Sequence, residues 1–132
     1  MNWEEIVGQK KVIETLKDAI DKERVGHAQL FIGEEGFGVL PLALAYAKEI
    51  LKRENEHAAS KVEHLNHLDL HFSFPVFTEK NNSLSQRLFE DFRNMILKNP
   101  YASINDWNEV LDAQNKQLFI SADEVDALRS EE

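Results

Sequence analysis

The chain has 132 residues, of which 42% are hydrophobic and 30% charged, and its 24 acidic side chains against 15 lysines and arginines give a formal net charge of -9. No apolar run approaches the ~20 residues needed to span a bilayer, so a membrane role is not expected. The average field repels a polyanion, so DNA is expected only indirectly, within an assembly. Zero cysteines rule out disulfides, thiolate zinc sites and a cysteine nucleophile, and the start "MNWEEIVGQKK" lacks the basic and apolar regions of a signal peptide. The expected location is cytoplasmic.

At this length one domain with its own core is the default. The stretch "GQKKVIETLKDAIDKERVGHAQLFIG" opens with Val12, Ile13, Leu16, Ala19 and Ile20 on one helical face, with Gly26 as a stop. "HAQLFI" then reads as a short strand buried on both faces. A glycine loop follows, and after it a helix that tolerates Pro41 in its first turn, where the missing N–H does no harm. Residues 55–66 are polar, lack a period and read as a connector. "LDLHFSFPVF" alternates, with Leu68, Leu70, Phe72 and Phe74 on one face and Asp69, His71 and Ser73 on the other, until Pro75 ends the strand.

Beyond the turn-rich "TEKNNS", Leu84, Leu88, Phe92, Met95 and Ile96 form a helical stripe closed by Pro100. A shorter helix is expected over "INDWNEVLDA", with Trp107, Val110 and Leu111 on its buried side. In "KQLFISADEVDALRSEE", Ser121 and Glu124 form a capping box with Val125 and Leu128 inside. This order predicts an α/β fold, the three-layer P-loop kind, apparently truncated because too few strands are present to complete a sheet.

The stretch Gly33-Glu34-Glu35-Gly36-Phe37-Gly38-Val39-Leu40 has the glycines of a phosphate loop. A working loop holds phosphates on backbone N–H groups at a helix start and adds a lysine for the β and γ phosphates and a hydroxyl for Mg²⁺. Val39 and Leu40 occupy those two positions. Glu34 and Glu35 add negative charge where a triphosphate would lie, and one like-charge pair near a surface costs up to ~4 kcal/mol at close range. The loop is expected to keep its geometry without binding ATP. "LFISADE" imitates an acidic Mg²⁺-positioning motif, but Ser121 and Ala122 separate the apolar run from Asp123 and Glu124, and the capping box accounts for Ser121 and Glu124.

Four segments together, "IVGQKKVIETLKDAI", "GHAQLFIGEEGFG", "LALAYAKEI" and "LNHLDLHFSFPV", resemble in order and spacing the N-terminal part of the delta prime subunits of the bacterial DNA polymerase III clamp loader, of AAA+ type. "HLDLHFSFPVF" with the later "ILKNPY...W" is most similar to the version in the Bacteroidetes group. The resemblance implies a rigid, non-hydrolysing, stator-like member of a loader ring. It implies partners among the loader's ATPase and delta subunits and the sliding clamp, and no cofactor. It also places Gly8 and Gln9 beside the adenine side of an active relative's site. Residues 1–132 would then be the N-terminal part of an AAA+-like domain, with the lid and collar domains absent. Many family members carry a four-cysteine zinc module about where "KRENEHAASKVEHLNH" stands, which this chain, without cysteine, cannot build in its usual form.

Two rival functions remain at this stage. One is an NTPase with an atypical loop, which ATP affinity distinguishes. The other is a small metal-binding domain on His57, His64 and His67, with His71 nearby, although solvated surface histidines account for the cluster. Arg93 among the acids of "EDFRNM" reads as a solvated helix ladder. No serine, histidine and aspartate order suggests a nucleophile triad, and no enzyme activity is expected of the chain.

Overall fold

The computed structural model describes residues 1–67, 69–77, 88–111 and 118–130. The chain divides into two compact units, Met1–Leu70 with Asn99–Ala102, and His71–Lys98 with Ser103–Glu132.

In the first unit a single 3-10 turn, Trp3–Glu5, leads to α1 (Lys10–Asp21), α2 (Val39–Glu54) and α3 (Ala58–Glu63). Helix α1 forms where the apolar stripe predicts it. Leu16 and Ile20 are buried, Ile13 is half-buried, and they pack with Ile6, Leu42, Ala45 and Tyr46 into one core. Fully burying a side chain of that size contributes about 1.5–3 kcal/mol. The helix stops earlier than Gly26. Glu23 takes a left-handed φ of 54°, the Arg24 N–H donates to the Ala19 carbonyl at 2.8 Å, and the Glu23 N–H donates to the Ile20 carbonyl at 3.1 Å. That is a Schellman stop, built without the usual glycine.

Helix α2 begins at Gly38 and carries the buried residues Pro41, Leu42, Leu44, Ala45 and Tyr46. Its last turn holds Lys52 and Arg53, suited to the negative end of the helix dipole. Arg53 ties α2 to α1 through Asp21 at 2.5 Å and reaches Glu49 at 3.2 Å. The hydrogen bond to Asp21 chiefly raises the guanidinium pKa; burial opposes it, and the hydrogen bond to Glu49 adds to the rise.

The expected connector over residues 55–66 contains helix α3, a correction to the sequence reading. Its stop repeats the Schellman pattern. Leu65 is left-handed with φ 56°, and the Asn66 N–H donates to the Lys61 carbonyl at 2.7 Å while the Leu65 N–H donates to the Val62 carbonyl at 2.9 Å. Val62 and Leu65 are both buried.

Glu63, at the end of α3, receives the Lys48 ammonium at 2.7 Å and also the N-terminal ammonium of Met1. Burial pushes this carboxyl up, but the hydrogen bonds from Lys48 and the N-terminus outweigh it and hold the pKa below its ordinary 4.5. A depressed carboxyl contributes stability that is present above its unfolded-state pKa and lost as pH falls through the folded value. Below about pH 4.5 the wild-type chain should therefore lose melting temperature more steeply than Glu63→Gln, which starts lower at neutral pH. The difference will be modest, because the Glu63 side chain is 36% exposed and water screens it. Thermal melts of both chains across that range check it.

The second unit contains α4 (Phe89–Lys98), α5 (Ile104–Leu111) and α6 (Ala122–Ser130). Its centre is aromatic. Phe74 stacks on Phe92 with ring centroids 4.1 Å apart, and Trp107 meets both edge-on at 5.1 and 5.5 Å. Helix α5 starts with a box in which the Asp106 N–H donates to Ser103 Oγ at 3.2 Å and the Ser103 N–H donates to Asp106 Oδ2 at 2.7 Å. Before α6, the Glu124 N–H donates to Ser121 Oγ at 3.2 Å, the expected cap, while the buried Glu124 carboxylate accepts the Ser73 hydroxyl at 2.7 Å. The inward placement of Val110, Val125 and Leu128 is not met, since these side chains are exposed. Leu68 and Leu84 lie outside the described residues.

The expected α/β fold, a three-layer P-loop domain, is overturned. Among the described residues the elements are helical and no sheet forms; the β pairing there is an isolated antiparallel bridge between Val76 and Phe119. The physical reason is visible at residues 27–32. A strand buried on both faces needs neighbours on both, and here one face is covered. The Phe31 ring lies 6.0 Å from that of Tyr46, and Gln29 Nε2 donates to Tyr46 Oη at 2.8 Å. Leu30 and Ile32, on the other face, are 83% and 84% exposed. Over residues 69–76 alternation persists in burial, with Phe74 and Val76 inside and Asp69, His71 and Ser73 outside, without becoming a ladder, and it ends at Phe77, which is buried beside Val76.

Candidate functional site

The glycine loop of the first unit is the strongest site that the sequence singles out, and each glycine there has its own structural reason. The Phe37 N–H donates to the Glu34 carbonyl at 3.2 Å, closing a turn in which Gly36 has φ 83°. A turn with positive φ at its third position takes glycine without strain. Gly38, buried, has φ 93° and is the cap residue from which α2 starts. Gly33 is needed for space: a Cβ there would stand 2.5 Å from Val39 Cγ2. Val39 thus lies across the base of the loop, at the position where a phosphate-binding loop places its lysine.

Leu40 is half-buried in the first turn of α2, and Pro41 beside it is buried. Glu34 and Glu35 are exposed at the tip with Phe37, which is 62% exposed. An open cleft of about 230 Å³ runs beside the loop, lined mainly by apolar groups including Val12, Leu30, Ile32, Phe37 and Val39. Among the described residues, none that lines it is a lysine, an arginine or an acid. Such a surface suits an apolar contact better than a triphosphate, which needs donors and cations.

Gly8 and Gln9 come to the same place. Both are left-handed, with φ 72° and 63°, and Gln9 is the cap residue of α1. Gln9 Nε2 donates to the Phe37 carbonyl at 3.4 Å, which ties the segment entering α1 to the loop. Sequence reasoning missed a third participant, Tyr101. Its hydroxyl accepts the Val7 N–H at 3.1 Å, and its Cε1 is 3.3 Å from where a Cβ on Gly38 would stand. Tyr101 is 94 residues from Val7, and no spacing signal could have linked them.

The histidines are not brought together as ligands. Among the described residues no group of three or more His, Cys, Asp or Glu side chains could hold a metal ion. His64 Nδ1 lies 2.8 Å from the Ser60 carbonyl, and His67 Nδ1 accepts the Asp69 N–H at 3.0 Å. The His57 N–H donates to Asn55 Oδ1 at 3.0 Å. These are local turn and helix-end contacts. Also among the described residues, no helix is long and apolar enough to cross a membrane.

Comparison with known proteins places this loop in context. No solved structure matches the chain. The DNA polymerase III subunit delta′ of Bacillus subtilis (strain 168) is 32% identical over 100 residues, covering 70% of this chain and 30% of that protein. The chain therefore spans less than a third of the length of that curated relative. The family model described as "DNA polymerase III, delta subunit" matches residues 8–129, from the glycine before α1 almost to the end of α6. That match takes in the loop, both of its flanking helices and most of the second unit, and by it the chain belongs to the DNA polymerase III delta-subunit family, in which it is similar to a delta′ subunit.

Proposed function

We propose that the chain is a non-hydrolysing structural portion of a delta′-type clamp-loader subunit, serving cytoplasmic DNA replication through protein contacts. The observation that carries this reading is Val39. It stands where a catalytic loop needs lysine, and its side chain packs into the space that Gly33 leaves. The two exposed acids at the loop tip oppose a polyphosphate further. An apolar cleft beside the loop supports a role in contacting protein, with the loader's ATPase and delta subunits and the sliding clamp as the proposed partners.

Titration of Mg-ATP into the purified chain by calorimetry at low salt tests the reading. No heat is expected, and the melting temperature should not rise with nucleotide, since a ligand that binds only the folded state must raise it. Micromolar binding would overturn the reading in favour of an NTPase with an atypical loop.

A further inference from the structure

We propose that Tyr101 is a positioning residue that holds the glycine loop in order, taking the part that a bound ligand plays in an ordinary phosphate loop. The proposal rests on the reading that this loop does not bind nucleotide. Tyr101 is delivered by a rigid turn. Its own N–H donates to Asn99 Oδ1 at 3.0 Å, and the Ala102 N–H donates to the Asn99 carbonyl at 3.1 Å. Pro100 between them restricts the backbone to turn geometry. The turn thus sets the backbone from which the Tyr101 side chain leaves.

From that turn the side chain does two separate things. Its ring edge approaches the bare Cα of Gly38, with Cε1, Oη and Cζ at 3.3, 3.7 and 3.9 Å from an added Cβ. So close an approach of ring to backbone suits glycine at this position. Its hydroxyl accepts the Val7 N–H, just before the left-handed pair Gly8 and Gln9. Gln9 in turn donates to the Phe37 carbonyl on the loop. Ring and hydroxyl together close a circuit that runs from Gly38 through Tyr101, Val7 and Gln9 to Phe37. A group that only filled core volume would have no use for the hydroxyl contact to this entry segment.

Hydrogen exchange of the full chain, resolved by residue, separates the two contacts. Tyr101→Phe keeps the ring and removes the acceptor, so the Val7 amide should exchange roughly fivefold to tenfold faster, the loss of one ordinary hydrogen bond. The Phe37 and Leu42 amides, bonded to the Glu34 and Gly38 carbonyls, should keep their protection. Tyr101→Ala should speed those two amides as well, by about tenfold or more, as a local opening of the loop. Phe37 and Leu42 at wild-type rates in Tyr101→Ala, with α1 still protected, would overturn the proposal.

If the alanine variant also loses α1 protection, Tyr101→Leu takes its place with the same two outcomes. Mg-ATP added to the wild-type chain in the same series keeps the two ideas apart. Binding would overturn the proposed function whatever Tyr101 does. Unchanged loop exchange without nucleotide binding would overturn the role of Tyr101 alone.

Discussion

Trp107→Ala is expected to destabilise the second unit by about 3–5 kcal/mol, the range for deleting a large buried aromatic. Trp107 is 2% exposed, and its two edge-on contacts with Phe74 and Phe92 each add about 0.5–1.5 kcal/mol beyond area burial. Its indole N–H donates to the Pro75 carbonyl at 2.7 Å, so removal also leaves that acceptor unmatched. Trp107→Phe should recover part of the loss by restoring ring contact without the hydrogen bond.

Urea denaturation measures the effect. The chain has two tryptophans, and the other, Trp3, lies in the first unit, so Trp107→Ala leaves a fluorescence reporter for that unit alone. Far-ultraviolet circular dichroism follows both. The two probes need not coincide, because two compact units do not guarantee two-state unfolding. An unshifted dichroism transition would show that the aromatic cluster does not hold the second unit together.

Gly33→Ala should cost about 1–3 kcal/mol, the usual penalty for forcing an extra carbon into packed space. The new methyl would overlap Val39 Cγ2, 2.5 Å away. Val39→Ala removes the obstructing group, so the double variant should be more stable than the sum of the two single losses predicts. A double-mutant cycle reads this coupling directly. Simple additivity would mean that the loop adjusts elsewhere, and that Val39 is not what requires glycine at this position.

The helices were legible where their cause is local. The stripe at Leu16 and Ile20 marked α1, the helix start after Gly38 marked α2, and Trp107 marked the buried side of α5. Helix α3 escaped notice because six residues of mixed polarity show no period, and because Leu65 rather than a glycine provides its left-handed stop. The predicted strands failed for a different reason. The continuous apolar run at residues 27–32 and the alternation from Leu68 to Phe74 were visible, but a sheet depends on which other segment lies alongside, and the pattern within one segment carries no information on that. The glycines of the loop were visible as a group, but the separate reasons for each, positive φ at Gly36 and Gly38 and the closeness of Val39 to Gly33, were not. Nor was Tyr101, since its contacts with Val7 and Gly38 exist only once the chain has folded.

The exposure of Leu30 and Ile32, each more than 80% exposed, has a consequence for how copies of this chain behave toward one another. At low ionic strength the net charge of -9 keeps molecules apart. The Debye length is ~10 Å at 0.1 M salt and shrinks to ~3 Å at 1 M. Concentrated salt therefore removes the repulsion and, by salting out, strengthens attraction between bare apolar side chains. Added salt is thus expected to promote self-association of the folded chain through these side chains, which light scattering against salt concentration would read.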